Sequence, residues 1–351
     1  MRILIVTDAW VPQVNGVVRT LETLGAHVKA LGNDVRYITP DLFRTLPLPS
    51  YPEIRLALAP MRRIRQIIHD FQPDAIHVAT EGPLGLAARR FCLRREHPFT
   101  TSFHTRFPEY LHARTRVPVE WGYRAMRWFH RPASALMVAT PSLKKELEER
   151  GFRNIRLWAR GVDLNLFHPC GNEDDPQLAG FPRPIWLYVG RVAVEKNIEA
   201  FLALPLEGTK VVVGEGPQLQ GLKTRFPETR FLGVKFGEEL TRIYSASDVF
   251  VFPSKTDTLG LVNLEALACG TPVAAYDVQG PRDIIAGAPV GACREDLLEA
   301  CRAALGIATV EACRAHALKF SWENSARQFL ANLDIPGYDE AYWAESATIQ
   351  D

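Results

Sequence analysis

The sequence lacks the features that mark membrane-spanning, secreted and disulfide-rich proteins. None of its apolar runs reaches the roughly 18 residues that a transmembrane helix needs. The apolar start, Arg2–Val6, ends at Thr7 and Asp8 with no small-residue cleavage site after it, so it indicates a buried first strand rather than a signal peptide. The six cysteines contain no Cys-x-x-Cys pair, which favours reduced thiols in a cytoplasmic protein.

Motifs of several well-known enzyme classes are also missing. No Gly-x-Gly-x-x-Gly follows the first strand, and the spacing of Gly214, Gly216 and Gly221 fails the same pattern, so a nicotinamide-dependent dehydrogenase is disfavoured. There is no Walker-type phosphate loop and no Gly-x-Ser-x-Gly turn. No Asp-x-Asp pair is present to hold a metal on a diphosphate, and His104 has no nearby His or Cys at ligand spacing. We therefore expect no metal site and no bound cofactor.

The composition, with 47% apolar and 23% charged residues among 351, is that of a globular chain with two domains. Its charge is uneven. Up to His168 there are 25 basic and 15 acidic residues, and from Pro169 onward there are 16 basic and 25 acidic ones. This asymmetry fits a first half that meets an anionic surface, or two domains that attract each other. No nucleic-acid recognition motif accompanies the basic half, so we expect no nucleic-acid partner.

Short β-branched runs alternate with longer amphipathic stretches along the chain. Strands separated by helices, with continuous apolar runs, predict buried parallel sheets joined by βαβ crossovers. Two such sets predict an α/β protein with two Rossmann-like lobes, 1–168 and 185–334, joined by a linker, 169–184, that contains Gly, Pro and acidic residues. The aromatic tail, 335–351, is expected to pack back onto the first lobe. The predicted strands are Ile3–Val6, Val35–Thr39, Ala75–Val78, Pro98–Phe103, Ala135–Thr140, Ile155–Ala159, Ile185–Val189, Lys210–Val213, Arg230–Leu232, Val249–Phe252, Pro272–Tyr276 and Pro289–Val290.

Two basic residues follow the first predicted strand of the second lobe. The strand Ile185–Val189 ends in Gly190 and Arg191, and Lys196 opens the next helical segment. A guanidinium and an ammonium beside a helix N-terminus suit a diphosphate, which the arginine can bind with two hydrogen bonds. The alternative interpretation is a solvated helix start.

A pair of carboxylates follows the strand Val249–Phe252. Asp257 and Glu265 are separated by seven residues, and a helix that begins near Leu259 would place Asp257 on the preceding loop and Glu265 in the second turn. One carboxylate could then bind sugar hydroxyls and the other ribose hydroxyls, with phosphates between them at the free N–H groups of the helix. The alternative is that Asp257 is an N-cap and Glu265 a surface residue.

Longer motifs occur in order along most of the chain. They are Thr7–Trp10, Pro12–Thr20, Ser102–Thr105, Arg160–Asp163, Phe167–Pro169, Gly190–Arg191, Glu195–Asn197, Val213–Pro217, Ser245–Ser254 and Asp257–Val273. Together they resemble the retaining glycosyltransferases of family 4. The form Thr256-Asp257-Thr258 is similar to a subgroup of GDP-mannose-dependent mannosyltransferases and of glucosyl-, glucuronosyl- and sulfoquinovosyl-transferases, many of which act on diacylglycerol or other membrane lipids.

The resemblance implies a GT-B fold, in which two lobes face a cleft, the second binds a nucleotide sugar and the first binds the acceptor. It implies transfer with retention of configuration and without a metal, the nucleotide sugar being a co-substrate. The implied catalytic residues are His104, Arg191, Lys196 and Asp257. The implied nucleotide-sugar-binding residues are Gly16, Gly190, Gly214, Leu259, Gly260, Leu261 and Glu265.

The chain departs from the family pattern at three of these motifs. The common pattern has Glu where this chain has Asp257, a substitution that the subgroup shares and that shortens the carboxylate by one methylene. The subgroup often has His where this chain has Val11, and Asn where this chain has Arg106. These differences leave the choice of donor and acceptor open, including UDP against GDP.

One predicted helix, Pro118–Arg131, combines tryptophans with arginines. We expect Trp121, Ala125, Trp128 and Phe129 to share one face, beside Arg124, Arg127 and Arg131 on the neighbouring one. This pattern is typical of a helix in the headgroup layer of an anionic membrane, although a helix packed on the sheet with its arginines in water is the alternative.

The resulting hypothesis is a peripheral enzyme of the cytoplasmic membrane face that glycosylates a lipid, with diacylglycerol as the preferred acceptor. An alternative is a mannosyltransferase that acts on a lipid-linked polysaccharide or a soluble acceptor. A further alternative, from another class, is a sugar-nucleotide-binding protein without turnover.

Overall fold

The computed structural model describes residues 1–13, 16–48, 51–170, 175–285 and 287–333. The predicted tail, 335–351, and residues 171–174 of the predicted linker lie outside this described part. Two six-stranded sheets dominate the fold. Both consist of parallel strands connected by helices, which confirms the predicted α/β architecture with two Rossmann-like lobes.

The elements of the chain up to residue 157 comprise the first sheet, the helices between its strands and a separate two-stranded antiparallel hairpin. In chain order they are β1 (Arg2–Val6), α1 (Gly16–Ala30), β2 (Asp34–Ile38), β3 (Thr45–Leu48), β4 (Tyr51–Ala57), α2 (Met61–Phe71), β5 (Ala75–Val78), α3 (Pro83–Arg95), β6 (Thr100–Ser102), α4 (Phe107–Thr115), α5 (Val119–His130), β7 (Ala135–Val138), α6 (Pro141–Glu149) and β8 (Ile155–Leu157).

The remaining elements belong to the second sheet and to the C-terminal helices. They are β9 (Ile185–Val189), α7 (Ile198–Leu202), β10 (Thr209–Val213), α8 (Leu219–Arg225), β11 (Arg230–Gly233), α9 (Gly237–Ser245), β12 (Val249–Phe252), α10 (Leu261–Ala268), β13 (Val273–Tyr276), α11 (Gln279–Ile285), β14 (Gly291–Arg294), α12 (Leu297–Ala304), α13 (Val310–Ala317) and α14 (Trp322–Asn332).

The strand order creates a switch point in each sheet. The first sheet has the order β2-β1-β5-β6-β7-β8, and the second has the order β11-β10-β9-β12-β13-β14. The direction of winding reverses between β1 and β5 and again between β9 and β12. In open parallel sheets, ligands bind beyond the carboxyl ends of the strands at such a point. A binding site of the second sheet is therefore expected at the loops that follow β9 and β12.

Apolar residues cover both faces of the first sheet, which explains why its strands have continuous rather than alternating apolar sequences. Along β1, Ile3 and Ile5 pack on one side with α1 and α14, whereas Leu4 and Val6 pack on the other side with α2 and α3. No helix in the described residues is both long enough and apolar enough to cross a membrane.

The contacts divide the chain into two units whose bounds differ from the predicted ones. Of the described residues, unit 1 comprises those within 1–104, 118–159 and 323–333, and unit 2 comprises those within 105–117 and 160–322. Helix α4 and residues 160–168 thus pack within unit 2, and α14 packs within unit 1.

Two local features differ from the sequence-based predictions. The hairpin of β3 and β4 was not predicted. The strand expected at Pro289–Val290 lies instead at Gly291–Arg294, where the backbone pairs with β13. The helix expected near Leu259 begins at Leu261, directly after Gly260 with its φ of +80°, so Asp257 lies on the preceding loop and Glu265 in the second turn, as predicted.

Candidate functional site

Three glycines bring the loops after β9 and β10 into backbone-to-backbone contact. Gly190, Gly214 and Gly216 have φ values of +148°, +138° and +157°, which favour glycine. A Cβ on Gly214 would overlap the carbonyl oxygen of Gly190, and one on Gly216 would overlap that of Val192. The Gly190 N–H donates to the Val213 carbonyl at 2.9 Å, so the two loops run side by side. Glycine at positions 190 and 214 thus allows the loops after β9 and β10 to lie in direct backbone contact beside the switch point.

Lys196 and Asp257 come together across the switch point. The Lys196 Nζ lies 2.6 Å from Asp257 Oδ1, and the two side chains are only 23% and 15% exposed. The second carboxylate oxygen, Oδ2, is buried and accepts no hydrogen bond from the described residues. The structure therefore pairs Lys196, which was predicted to bind phosphate, with Asp257, which was predicted to bind the sugar.

Hydrogen bonds fix the two loops that carry this pair. The Thr256 hydroxyl donates to the Glu195 carbonyl at 3.2 Å, and the Asn197 side-chain amide donates to the Pro253 carbonyl at 3.2 Å. These contacts flank Lys196 on one loop and Asp257 on the other. Residues next to both members of the pair are therefore bonded across the two loops.

Arg191 lies on the same loop as Lys196, next to Gly190. Its carbonyl accepts a hydrogen bond of 2.9 Å from the hydroxyl of the buried Tyr188. This bond anchors the backbone from which the half-buried Arg191 side chain extends. The loop after β9 thus carries two basic residues within seven residues of the end of the strand.

The turn before α10 is also shaped by glycine. Gly260 has no room for a side chain, because a Cβ would lie 2.6 Å from Cζ of Phe252 and 2.7 Å from Nδ2 of Asn263. Leu259 is buried beside it, and Leu261 is the first residue of α10. The first N–H groups of an α-helix have no partners within the helix, so this turn presents backbone donors near Asp257.

Glu265 is buried rather than on the surface, which excludes the alternative of a solvated acidic residue. It is 3% exposed, and its Oε2 accepts a hydrogen bond of 3.0 Å from the hydroxyl of Tyr244, which is fully buried on α9. A buried carboxylate costs free energy unless it is hydrogen-bonded, and the Tyr244 hydroxyl supplies one such bond.

A segment after the first-lobe strand β6 packs in unit 2 and reaches Asp257. The backbone of Thr105 forms an antiparallel bridge with that of Asp257. Next to it, the Arg106 guanidinium donates to Oε1 of Gln279 and lies 3.7 Å from Glu109. Sequence reasoning missed Gln279, because nothing in the pattern around it indicates a partner for residue 106.

The predicted site residues of unit 1 lie at the carboxyl edge of its sheet. His104 follows β6, and its ring meets that of Trp158 edge-on, with the ring centroids 5.8 Å apart. Trp158 is itself held by α14, since its Nε1 donates to the Ser325 hydroxyl at 3.1 Å. Gly16 is the exposed first residue of α1, with open space around its Cβ position.

Asp8, which was not predicted as a site residue, ties the loop after β1 to α3. Its carboxylate accepts hydrogen bonds from the N–H groups of Leu84 at 2.8 Å and Gly85 at 3.2 Å, and from the Thr80 hydroxyl at 2.9 Å. Burial raises its pKa, although these donors act in the opposite direction. The motif Thr7-Asp8 was visible in the sequence, but the helix that it caps is 76 residues away.

Helix α5 exposes both of its tryptophans. Trp121 and Trp128 are 70% and 57% exposed, and Arg124 and Arg131 are exposed beside them. Arg127 is half-buried and donates to the Arg150 carbonyl at 2.9 Å.

The prediction that Phe129 shares the tryptophan face was wrong, because Phe129 is buried in the core of unit 1. It lies about 80° from Trp121 around the helix axis, on the side that packs on the sheet. The guanidinium of Arg89 stacks on the Trp128 ring at 4.1 Å and donates to the Trp128 and Phe129 carbonyls.

Within the described residues, no group of three or more His, Cys, Asp and Glu side chains is arranged to hold a metal ion.

Comparison with known proteins identifies the family. The model of Glycosyltransferase Family 4 matches residues 14–166, and that of Glycosyl transferases group 1 matches residues 183–306. The chain belongs to the family 4 glycosyltransferases, and the two matches together cover most of both lobes.

Individual relatives agree with this assignment. The chain is 31% identical over 315 residues to a GDP-mannose-dependent alpha-mannosyltransferase of Mycolicibacterium smegmatis, covering 83% of this chain and 84% of the relative. It is 32% identical over 303 residues to the sulfoquinovosyl transferase SQD2 of Arabidopsis thaliana, covering 78% of this chain but only 58% of that longer protein. It is 26% identical over 313 residues to the alpha-monoglucosyldiacylglycerol synthase of Streptococcus pneumoniae, covering 79% and 71%.

The fold is shared with solved glycosyltransferases. The sucrose-phosphate synthase of Thermosynechococcus elongatus superposes with a TM-score of 0.76 at 21% identity, over 99% of both chains. This likeness supports the GT-B fold.

Proposed function

We propose that the protein is a retaining glycosyltransferase that transfers a hexosyl group from a UDP- or GDP-linked sugar to a membrane lipid, with diacylglycerol as the preferred candidate. The observation that carries the proposal is the meeting of Lys196 and Asp257 at the switch point of the second sheet. A cation and a carboxylate at this edge match the two ends of a sugar diphosphate. Family membership supplies the reaction class.

The donor is proposed to bind in unit 2. Arg191 and Lys196 would neutralise the diphosphate, and the N–H groups at the start of α10 would add further donors. The buried Glu265 would bind the ribose hydroxyls, since a carboxylate accepts from two adjacent hydroxyls. Asp257 would bind the hexose, with the backbone of Leu259–Leu261 beside it. Gly16 in unit 1 would let backbone N–H groups approach the phosphates.

The chemistry follows from where charge develops. As the nucleotide departs, negative charge grows on the β-phosphate, and Arg191 and Lys196 stabilise it in place of a metal. The hexose passes through an oxocarbenium-like state, and the acceptor hydroxyl attacks from the face that the nucleotide leaves. Configuration is thereby retained. His104, held edge-on by Trp158, is proposed to contact the donor sugar.

The acceptor lipid is proposed to reach unit 1 from an anionic membrane. Two exposed tryptophans on α5, flanked by the exposed Arg124 and Arg131, have the character of an interfacial helix. We propose that the enzyme acts at the inner face of the cell membrane. The name of one relative, the alpha-monoglucosyldiacylglycerol synthase, also favours this class of acceptor. Because another relative is named as a GDP-mannose-dependent mannosyltransferase, transfer of mannose to a lipid-linked polysaccharide or a soluble acceptor is the second candidate.

The deciding experiment incubates the purified protein with membranes and a panel of UDP- and GDP-sugars, with products identified by mass spectrometry. We expect one hexose to be added to a lipid, with NMR showing the anomeric configuration of the donor retained. Turnover should persist in EDTA. If it stops in EDTA and returns with divalent ions, the metal-free part of the proposal is wrong.

Alanine variants separate the enzyme from a sugar-nucleotide-binding protein. Arg191→Ala, Lys196→Ala and His104→Ala should each lower kcat by about 100-fold or more, as expected for groups that stabilise a transition state. A protein that binds nucleotide sugar without any product under all conditions would support the binding protein instead.

Vesicle flotation tests the membrane surface. Binding to vesicles that contain about 30 mol% phosphatidylglycerol should exceed binding to vesicles of pure phosphatidylcholine, and it should weaken as the salt concentration rises. Trp121→Ala and Trp128→Ala should each reduce it. Leu318→Ala, which removes an exposed apolar side chain in unit 2, is the control and should leave it unchanged. Equal binding to both vesicle types would contradict the membrane proposal.

A further inference from the structure

The two groups proposed to bind opposite ends of the donor are paired with each other. Lys196 Nζ and Asp257 Oδ1 are 2.6 Å apart, a charge-assisted contact between two side chains that are mostly buried. Both groups therefore have a counter-ion before any nucleotide arrives. A ligand that uses Lys196 has to compete with Asp257.

The loops around the pair limit how the competition can be relieved. Thr256 is tied to the Glu195 carbonyl and Asn197 to the Pro253 carbonyl, so the residues next to Lys196 and Asp257 are bonded across the two loops. The backbone of Asp257 is also bridged to that of Thr105. The main chain thus cannot carry the carboxylate away, and only side-chain rotation can separate the ions.

A free nucleoside diphosphate and a nucleotide sugar meet this pair differently. A diphosphate that takes Lys196 brings two negative groups close to Asp257 and leaves the carboxylate without its counter-ion in a mostly buried position, which is costly. A nucleotide sugar offers hydroxyl donors in addition to the phosphates. Those hydroxyls can bind Asp257, including its buried Oδ2, while the phosphate binds Lys196.

We infer that Asp257 is a specificity-determining residue that competes with phosphate for Lys196, so that the site holds the intact sugar donor more tightly than the nucleoside diphosphate product. The inference rests on the proposed function of this site. Loss of the hexose to the acceptor returns Asp257 to Lys196. The ion pair of Lys196 and Asp257, which is broken when the donor binds, then re-forms and helps to displace the nucleoside diphosphate product.

The test is isothermal titration with UDP and with GDP, using the full chain and five variants. Asp257→Asn removes the carboxylate charge without changing the side-chain shape, and it should bind its preferred diphosphate about tenfold more tightly. Lys196→Met should bind it more weakly. In the Lys196→Met background, Asp257→Asn should change the affinity less than about threefold, because the competition needs both partners.

A charge control separates local competition from general repulsion. Asp277→Asn removes a carboxylate that follows β13 at the same sheet edge and is paired with Arg282. It should leave nucleotide affinity unchanged. If it tightens binding as much as Asp257→Asn does, or if the gain persists in the Lys196→Met background, the inference is overturned.

The remaining outcomes also decide the matter. If wild type binds a diphosphate and Asp257→Asn binds it no better, the inference is wrong while the proposed function stands. If no form of the protein binds either nucleotide, the proposed donor site fails and the inference fails with it. Thermal melting checks that Asp257→Asn is folded, and Asp257→Ser is the second variant, with the same expected direction.

Discussion

Replacing Gly214 by alanine should damage both the stability and the nucleotide affinity of unit 2. Gly214 has a φ of +138°, a region that alanine rarely enters, and forcing a residue with a Cβ into such a conformation costs about 1–3 kcal/mol. The added Cβ would also overlap the Gly190 carbonyl oxygen, which is backbone and cannot rotate away. Relief requires the two loops to part, which costs about 1–3 kcal/mol more.

The expected loss in the free energy of unfolding is therefore about 2–6 kcal/mol, a large fraction of the stability of most domains. The loop that would move carries Gly190 and Arg191, so a folded variant should bind the nucleotide sugar at least about tenfold more weakly. Urea unfolding followed by tryptophan fluorescence measures the first quantity, and titration with the preferred nucleotide measures the second.

Gly221→Ala provides the matched control. Gly221 lies on the exposed side of α8, and a Cβ there would meet no atom within 4 Å. Alanine favours a helix over glycine by about 0.5–1 kcal/mol, so this variant should be slightly more stable and should bind nucleotide normally. If Gly214→Ala has the same stability and nucleotide affinity as wild type, the close contact between the loops of Gly190 and Gly214 does not require glycine, and the reasoning is refuted.

Three further predictions follow from buried polar groups. Tyr244→Phe removes the hydroxyl that donates to the buried Glu265, so unfolding should cost about 1–3 kcal/mol less and donor affinity should fall, as urea unfolding and titration would show; unchanged values would contradict this. Asp8→Ala removes the cap of α3 and should lower stability by about 1–2 kcal/mol in the same assay. Burial raises the pKa of the Cys92 and Cys301 thiols to about 12. These thiols should therefore resist alkylation in the native protein at pH 8. Since unfolded thiols titrate near 9, the protein should lose stability as the pH rises from about 9 towards 12; rapid labelling of native protein at pH 8 would contradict this.

Much of the fold could be predicted because buried parallel strands leave a strong signal. Every predicted strand except Pro289–Val290 overlaps a strand of the structure, since continuous β-branched runs are typical of a sheet covered on both faces. The hairpin of β3 and β4 has no such run, and Pro47 lies within it, which made a strand hard to recognise. Helix α14 packs within unit 1, which an amphipathic sequence pattern could not have indicated, because such a pattern does not say which sheet the apolar face covers.

The sequence predicted which residues belong to the candidate site, but it did not predict which of them contact each other. Gly190, Arg191 and Lys196 follow one strand, and Asp257 follows another, so a parallel sheet brings all of them to one edge. That Lys196 pairs with a residue 61 positions away depends on β9 and β12 being neighbours, which the order of strands in the sequence does not reveal. The hydrogen bond from Tyr244 to Glu265 could not be predicted for the same reason, because it depends on α9 packing next to α10.

The charge of the chain gives the paired site its physical context. From Pro169 onward the sequence has 16 basic and 25 acidic residues, so the half that we propose to bind the donor has the same sign of charge as a nucleotide. At physiological salt, exposed charges more than about 8 Å apart are largely screened, so the groups beside the phosphates should decide binding. In the proposed site Arg191 and Lys196 would supply the attraction, and Asp257 would reduce it until a sugar hydroxyl binds its carboxylate. On this proposal the diphosphate should be released more readily once the sugar has been transferred, because Asp257 again competes for Lys196.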